Sequence, residues 1–277
     1  MVTVKLNDFN LEQIADSGQC FRMNKISDNE YFLIAFGKCL KISALSKDEF
    51  AFDCSKKDFD TIWKDYFDLD TDYSLYKNSV DKNDIFLQEA IKYGYGIRIL
   101  RQELWETTIS FIISQRKSIP AIKSAIESLS ASFGSPIYYK DEVFYAFPTP
   151  KQLAISSLEE LSKHGLGYRD KYIHQLSNNV SSGEFDLDKA KNLNYDDAFK
   201  FLTSIYGIGT KIANCIALFS LHKIEAFPID VWIKRILEDE YNNNFDISRY
   251  DGYAGILQQY MFYYARSREY SKIQKNK

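Results

Sequence analysis

The sequence predicts an α+β fold, with antiparallel strands before about residue 85 and helices after it. Three observations carry this expectation. Segments 30–36, 38–44 and 49–53 are short and bounded by turn residues or charges, and several alternate apolar with polar side chains, as half-buried strands do. Between Ser118 and Phe133, the apolar residues Ile122, Ala125, Ile126, Leu129 and Phe133 recur at helical spacing. Helix punctuation then repeats along the chain. Ser118 is an N-cap with Pro120 in the first turn and Gly134 as the stop; Ser157 with Glu160 makes a capping box ahead of Gly165; Asn194 caps a helix to about Tyr206. The Asp-rich stretch 65–84 reads as a connector with a helical turn or two, Asn242–Asn244 as a loop, and the polar end from about Lys272 as a fraying terminus.

Composition narrows the class. With 277 residues, 45% hydrophobic and 26% charged, the chain is an ordinary globular protein with room for two or three subdomains. Aromatics reach 16%, enough to fill a core and to stack on bases. The formal net charge of −3 predicts no broad lysine field, so any phosphate binding must come from a local patch or from backbone amides. Cys20, Cys39, Cys54 and Cys215 are scattered, without metal-ligand spacing. No metal or other cofactor is expected, and the single thiols fit a reducing cytoplasm. No signal peptide is read at the start, and the apolar run from Ile212 to Leu221 is too short to span a bilayer, so no membrane partner is expected.

The chemistry concentrates in the segment from Leu202 to Leu218. One helix runs into Gly207-Ile208-Gly209 and another leaves at once. Two glycines around one apolar residue permit a hairpin, with Ile208 tucked between the helices and the amides of Gly207 and Gly209 pointing outward as an anion site. A lone Gly-x-Gly is more often a packing turn than a phosphate site. The helix-hairpin-helix spans about 195–221, and the expected domains are a β domain over 1–85 and a helical domain over 86–277. Lys211 falls in the first turn of the second helix, where most lysines would simply be solvated. A cation there is electrostatically unfavourable, and with partial burial this favours the neutral amine that nucleophilic attack requires. Phe227-Pro-Ile-Asp-Val follows, placing Asp230 as the N-cap of a helix from Trp232 to about Tyr241. The same helix-end field keeps a carboxylate ionised, which suits electrostatic stabilisation of a cationic sugar better than strong-base chemistry.

These residues resemble a known family. The run GIGTKIANC followed by FPIDV is similar to the helix-hairpin-helix-GPD superfamily of DNA glycosylases, and within it to the 8-oxoguanine DNA glycosylases. Ser17-Gly-Gln-Cys-Phe-Arg, Leu100-Arg-Gln-Glu-Leu-Trp-Glu, Phe111-Ile-Ile-Ser, Gly165-Leu-Gly-Tyr-Arg and Tyr253-Ala-Gly with Gln258 and Phe262 match further motifs in the family's order. The resemblance implies a β domain packed on two helical subdomains with the active site between the latter. It implies a monomer that binds double-stranded DNA, flips the damaged nucleotide into a pocket, attacks C1′ with Lys211 and nicks the strand by β-elimination. It assigns Gly18 as the carbonyl that receives the N7–H of 8-oxoguanine, Cys215 and Phe262 as the pair sandwiching the base, and Gln258 as the reader of its Watson–Crick edge. Tyr168 and Arg169 fall beside the vacated space and the opposite cytosine. Three positions depart from the pattern. Arg116 replaces the usual asparagine that fills the gap, Ala121 a second cytosine-reading arginine, and Trp232 a histidine near the phosphate. A weaker preference for cytosine opposite the lesion is therefore expected. The alternatives are a glycosylase of the same fold for an alkylated or other oxidised base, and a catalytically silent DNA-binding protein. The iron–sulfur branch is disfavoured because the cysteines are not clustered.

Overall fold

The computed structural model describes residues 1–267; the terminus expected to fray from Lys272 lies outside them. Five antiparallel strands form the N-terminal sheet in the order β1 (Val2–Lys5), β5 (Glu49–Phe52), β4 (Lys38–Ala44), β3 (Glu30–Ala35) and β2 (Met23–Ser27). The three expected strands are present, and β1 and β2 join them. Register places Leu33 opposite Leu40 and Tyr31 opposite Ile42. All four side chains are buried on one face, as the two-residue period requires. Phe36 and Gly37 link β3 to β4 with φ of 52° and 66°. Two left-handed residues give the turn whose twist matches the strands, although Phe36 carries no turn signal of its own. The helix Leu11–Asp16 covers the sheet, and Phe9 packs edge-on against Phe50 at 4.8 Å and Phe67 at 5.5 Å.

The rest of the described chain is mostly helical. The helix Leu104–Ser114 is buried over nearly its whole surface, and so is Ala254–Ala265. Helix Ile119–Phe133 begins and stops where expected, although the Ser118 hydroxyl makes no capping bond. The Ser157–Glu160 capping box is formed. Asn194 caps its helix, which ends at Thr203 rather than Tyr206. One element was not anticipated: β6 (Pro136–Tyr139) and β7 (Glu142–Tyr145) form a hairpin inside the helical half. It is stabilised from outside. Phe144 stacks on Phe32 of β3 at 4.6 Å and the Tyr139 hydroxyl donates to Asp53 at 2.7 Å, so the hairpin ties the sheet to the helices.

The connector 65–84 is more than a spacer. Asp68, 3% exposed, accepts from the Tyr73 hydroxyl, from Arg101 and from Thr71. His222 Nε2 lies 3.4 Å from the same oxygen that accepts from Tyr73. His222 lies just past the hairpin's second helix, after Ser220 and Leu221, so this buried carboxylate ties the segment leaving that helix to the N-terminal part.

Candidate active site

The second hairpin helix is Thr210–Phe219, with Gly209 as its N-cap. Gly209 has no side chain to satisfy the first-turn amides, which therefore stay available to an anion. Gly207 has φ of 90°, and a Cβ there would sit 2.5 Å from the Tyr172 ring, so only glycine closes this turn. Ile208 is buried as expected. The Gln115 amide donates to the Gly207 carbonyl at 2.9 Å, and Lys117 donates to the Gly165 carbonyl. The hairpin, the end of the buried helix and the Gly165–Arg169 loop thus form one connected surface.

Between them lies a cleft of 990 Å³ whose wall includes Gly18, Arg116, Tyr168, Gly209, Lys211, Asp230, Trp232 and Phe262. A recess of 40 Å³ continues from it, lined by Gly18, Phe111, Lys211, Cys215, Asp230, Gln258 and Phe262. Residues separated by more than 240 positions thus share one wall. Lys211 is half-buried, with Nζ 5.6 Å from the centre of the Phe111 ring. Among the described residues no carboxylate lies within 4.0 Å of it. Asp230 caps the helix Val231–Asp239: Oδ1 accepts from the amides of Trp232 at 3.0 Å and Ile233 at 2.9 Å. Burial pushes the Cys215 thiol up to about 11; Lys211 opposes that shift and Asp230 adds to it. Cys215 is therefore a neutral, polarisable wall at neutral pH, with no role as a nucleophile.

The recess is narrow in this structure. Gln258 is 3% exposed; its amide nitrogen donates to the Pro228 carbonyl at 3.0 Å, and its oxygen accepts from Gln259 at 3.1 Å. Gly18 has φ of 78°, and a Cβ on it would meet the Phe262 ring at 2.9 Å. A volume of 40 Å³ is about the room one water occupies.

The opposite-strand residues lie elsewhere on the cleft rim. Tyr168 is 47% exposed. Arg169 is 6% exposed and turned inward, donating to the carbonyls of Leu166 and Gln115 beneath the Tyr168 ring at 4.5 Å. It props the loop that presents Arg116. Arg116 is exposed, with φ of 49°. Arginine tolerates that left-handed geometry poorly, whereas asparagine adopts it readily. Ala121 is exposed in the first turn of its helix, and Trp232 stacks near Arg235 at 5.5 Å.

Arg116, Lys117, Lys211, Lys234 and Arg266 face the cleft, where Asp230 is the one carboxylate among the described residues. Of these, Lys117, Lys234 and Arg266 lie outside the motifs singled out in the sequence. The overall charge of −3 thus conceals a basic cleft, the local patch that a summed charge leaves open. The signals are local ones: Lys117 neighbours Arg116 just beyond the helix Leu104–Ser114, and Arg266 falls one helical turn after Phe262.

A half-buried lysine at a hairpin helix N-terminus, an aspartate cap across a basic cleft and an aromatic-walled recess define a helix-hairpin-helix protein built to act on DNA. Residues 1–108 match the 8-oxoguanine DNA glycosylase N-terminal domain, and residues 109–248 match the HhH-GPD superfamily of base excision DNA repair proteins. A structure described as MBOgg1 in complex with a low affinity DNA ligand is 41% identical, with a TM-score of 0.90 over 95% of this chain and 94% of that one. The Clostridium acetobutylicum 8-oxoguanine glycosylase/lyase, in complex with double-stranded DNA containing cytosine opposite 8-oxoguanine, is 34% identical, with a TM-score of 0.89 over 94% of this chain and 92% of that one. A probable N-glycosylase/DNA lyase of Methanothermobacter thermautotrophicus is 31% identical over 229 residues, 72% of this chain and 71% of that protein. The chain belongs to the 8-oxoguanine DNA glycosylase family of the HhH-GPD superfamily.

Proposed function

We propose that this protein is a bifunctional base-excision repair enzyme that removes 8-oxoguanine from duplex DNA and then nicks the abasic site. The observation that carries this reading is the shared recess: Lys211 and Asp230 lie on the same wall as Gly18, Cys215, Gln258 and Phe262. Catalytic and base-reading groups must meet at one nucleotide, and one chain supplies all of them, so a monomer suffices.

The sequence of events follows from the geometry. The basic cleft and the amides of Gly207 and Gly209 hold the phosphates while the lesion is extruded. Phe262 swings away from Gly18 to admit the base, which then lies between Phe262 and Cys215. Gln258 exchanges its internal bonds for the Watson–Crick edge, and the Gly18 carbonyl accepts the N7–H. The neutral Lys211 amine attacks C1′; the bond from C1′ to the base breaks, and its electron pair leaves with the purine. Asp230 stabilises the positive charge on the sugar in the transition state. The Lys211 nitrogen, now bonded to C1′, gives up a proton to the departing purine; the sugar ring then opens as C1′–O4′ breaks and O4′ takes a proton, leaving a protonated Schiff base at Lys211. That cation acidifies C2′–H, and loss of the C2′ proton expels the 3′ phosphate.

Sodium borohydride should trap a covalent protein–DNA adduct on duplex containing 8-oxoguanine, and Lys211→Gln should abolish it. An adduct at wild-type yield in the glutamine variant would assign the nucleophile to another residue. A wild type that excises an alkylated base in preference to 8-oxoguanine would replace the substrate while keeping the chemistry.

A further inference from the structure

Arg266 lies one helical turn beyond Phe262 and lines the cleft beside Gly18, Lys211 and Asp230. Its guanidinium carbon sits 5.1 Å from the centre of the Phe262 ring. One of its Nη atoms donates to the Asp16 carbonyl at 3.1 Å. Asp16 is the last residue of the helix Leu11–Asp16, and the turn through Ser17 to Gly18 follows directly. The same Nη atom would lie 3.8 Å from a Cβ built on Gly18. A cation at a helix C-terminus is well placed electrostatically. A planar guanidinium can also stack on an aromatic face while donating in its own plane.

We propose that Arg266 is a positioning residue of the lesion pocket, coupling the Gly18 turn to the Phe262 ring so that the two close on the damaged base as one unit. This rests on the reading of the recess as the 8-oxoguanine pocket. The two partners come from opposite ends of the chain. Gly18 follows a helix that covers the N-terminal sheet, and Phe262 belongs to the C-terminal helix. Arg266 touches both elements. With the cation in place, the ring has a preferred position over Gly18, and the carbonyl that reads N7–H is held at the end of an anchored helix. Without it, each is free to adjust independently, and the sandwich forms less often in the extruded state. Lys211 and Asp230 are held by other helix ends, so the chemistry on a sugar that has already lost its base depends on Arg266 far less.

That difference supplies the test. Single-turnover excision of 8-oxoguanine and β-elimination on a preformed abasic duplex are measured side by side for wild type, Arg266→Leu and Arg266→Lys. The leucine variant should lose roughly three- to tenfold in excision beyond any loss in β-elimination, the scale of an exposed cation–aromatic contact with one hydrogen bond. Lysine, which keeps the charge and the helix-end contact but not the planar stack, should recover part of the loss. Equal losses in both reactions would assign Arg266 to phosphate binding or general stability and overturn the coupling. No loss in either would overturn it as well. A wild type that cleaves abasic sites but leaves 8-oxoguanine untouched would instead sink the substrate reading beneath it.

Discussion

Replacing Asp230 by asparagine separates two functions that the structure puts on one side chain. Oδ1 accepts both capping amides, from Trp232 and Ile233, and an asparagine carbonyl oxygen can occupy the same place. Asparagine caps helices about as well as aspartate, so the hydrogen bonds survive. The lost charge at the helix N-terminus costs about 0.3–1 kcal/mol, a fall in Tm of only a few degrees for a chain of this size. Catalysis should suffer far more. Removing one preorganised group facing the developing sugar cation costs on the order of a hundredfold, about 2.7 kcal/mol in the barrier. Asp230→Ala should add about 1 kcal/mol of instability through the lost cap. Single-turnover excision and thermal unfolding, measured on both variants, read the two functions independently. Excision by Asp230→Asn at the wild-type rate would refute the electrostatic role. An asparagine variant as unstable as the alanine one would refute the division of labour.

Arg116→Asn should raise stability by up to about 1 kcal/mol, because asparagine tolerates the left-handed backbone at this position, and should sharpen discrimination for cytosine; single-turnover excision opposite each of the four bases measures the second effect, and an already exclusive preference in the wild type would contradict it. Burial alone would raise the Asp68 carboxyl, but His222 and Arg101 outweigh it and hold it at about 2. Its folded value lies below its unfolded one, so its stabilisation is present above about pH 4 and is lost as pH falls toward 2. Asp68→Asn should therefore cost about 2 kcal/mol at neutral pH, and a cost that persists undiminished in chemical denaturation at pH 2 would contradict the assignment. Glu106 behaves oppositely. Burial, only partly offset by Arg22, raises its carboxyl to about 8, so its folded form is favoured at low pH and destabilised as pH climbs from about 4.5 through 8. Glu106→Gln should gain on the order of 1–3 kcal/mol over wild type at pH 8.5 and little at pH 4.5, with melting curves at the two pH values as the readout; a gain equal at both would rule out titration as its cause.

Much of the site was legible along the chain because its chemistry is local. A glycine hairpin, a lysine one residue into a helix and an aspartate N-cap are each short-range patterns with a physical reason, and the structure forms all three. The same holds for strands with period-two burial and for the Ser157–Glu160 capping box. Where local pattern was weak, reading failed. The hairpin 136–145 has short strands whose stability comes from Phe32 and Asp53, more than 80 positions away. Phe36 adopts a turn that nothing in its neighbours announces.

By itself, then, the sequence determined the helix starts, the nucleophile's position within its helix and the alternating faces of the sheet, since backbone periodicity and capping act over a few residues. Only the tertiary structure decided which side chains face one another. It gathered five cations into one cleft on a chain of net charge −3, because a summed charge carries no positions. It turned Arg169 inward onto two carbonyls, and buried Asp68 between Arg101 and His222, because a long side chain goes where unpaired backbone oxygens and charges need it. It also set Arg266 between Asp16 and Phe262, a contact spanning 250 positions that exists only once both ends of the chain have packed.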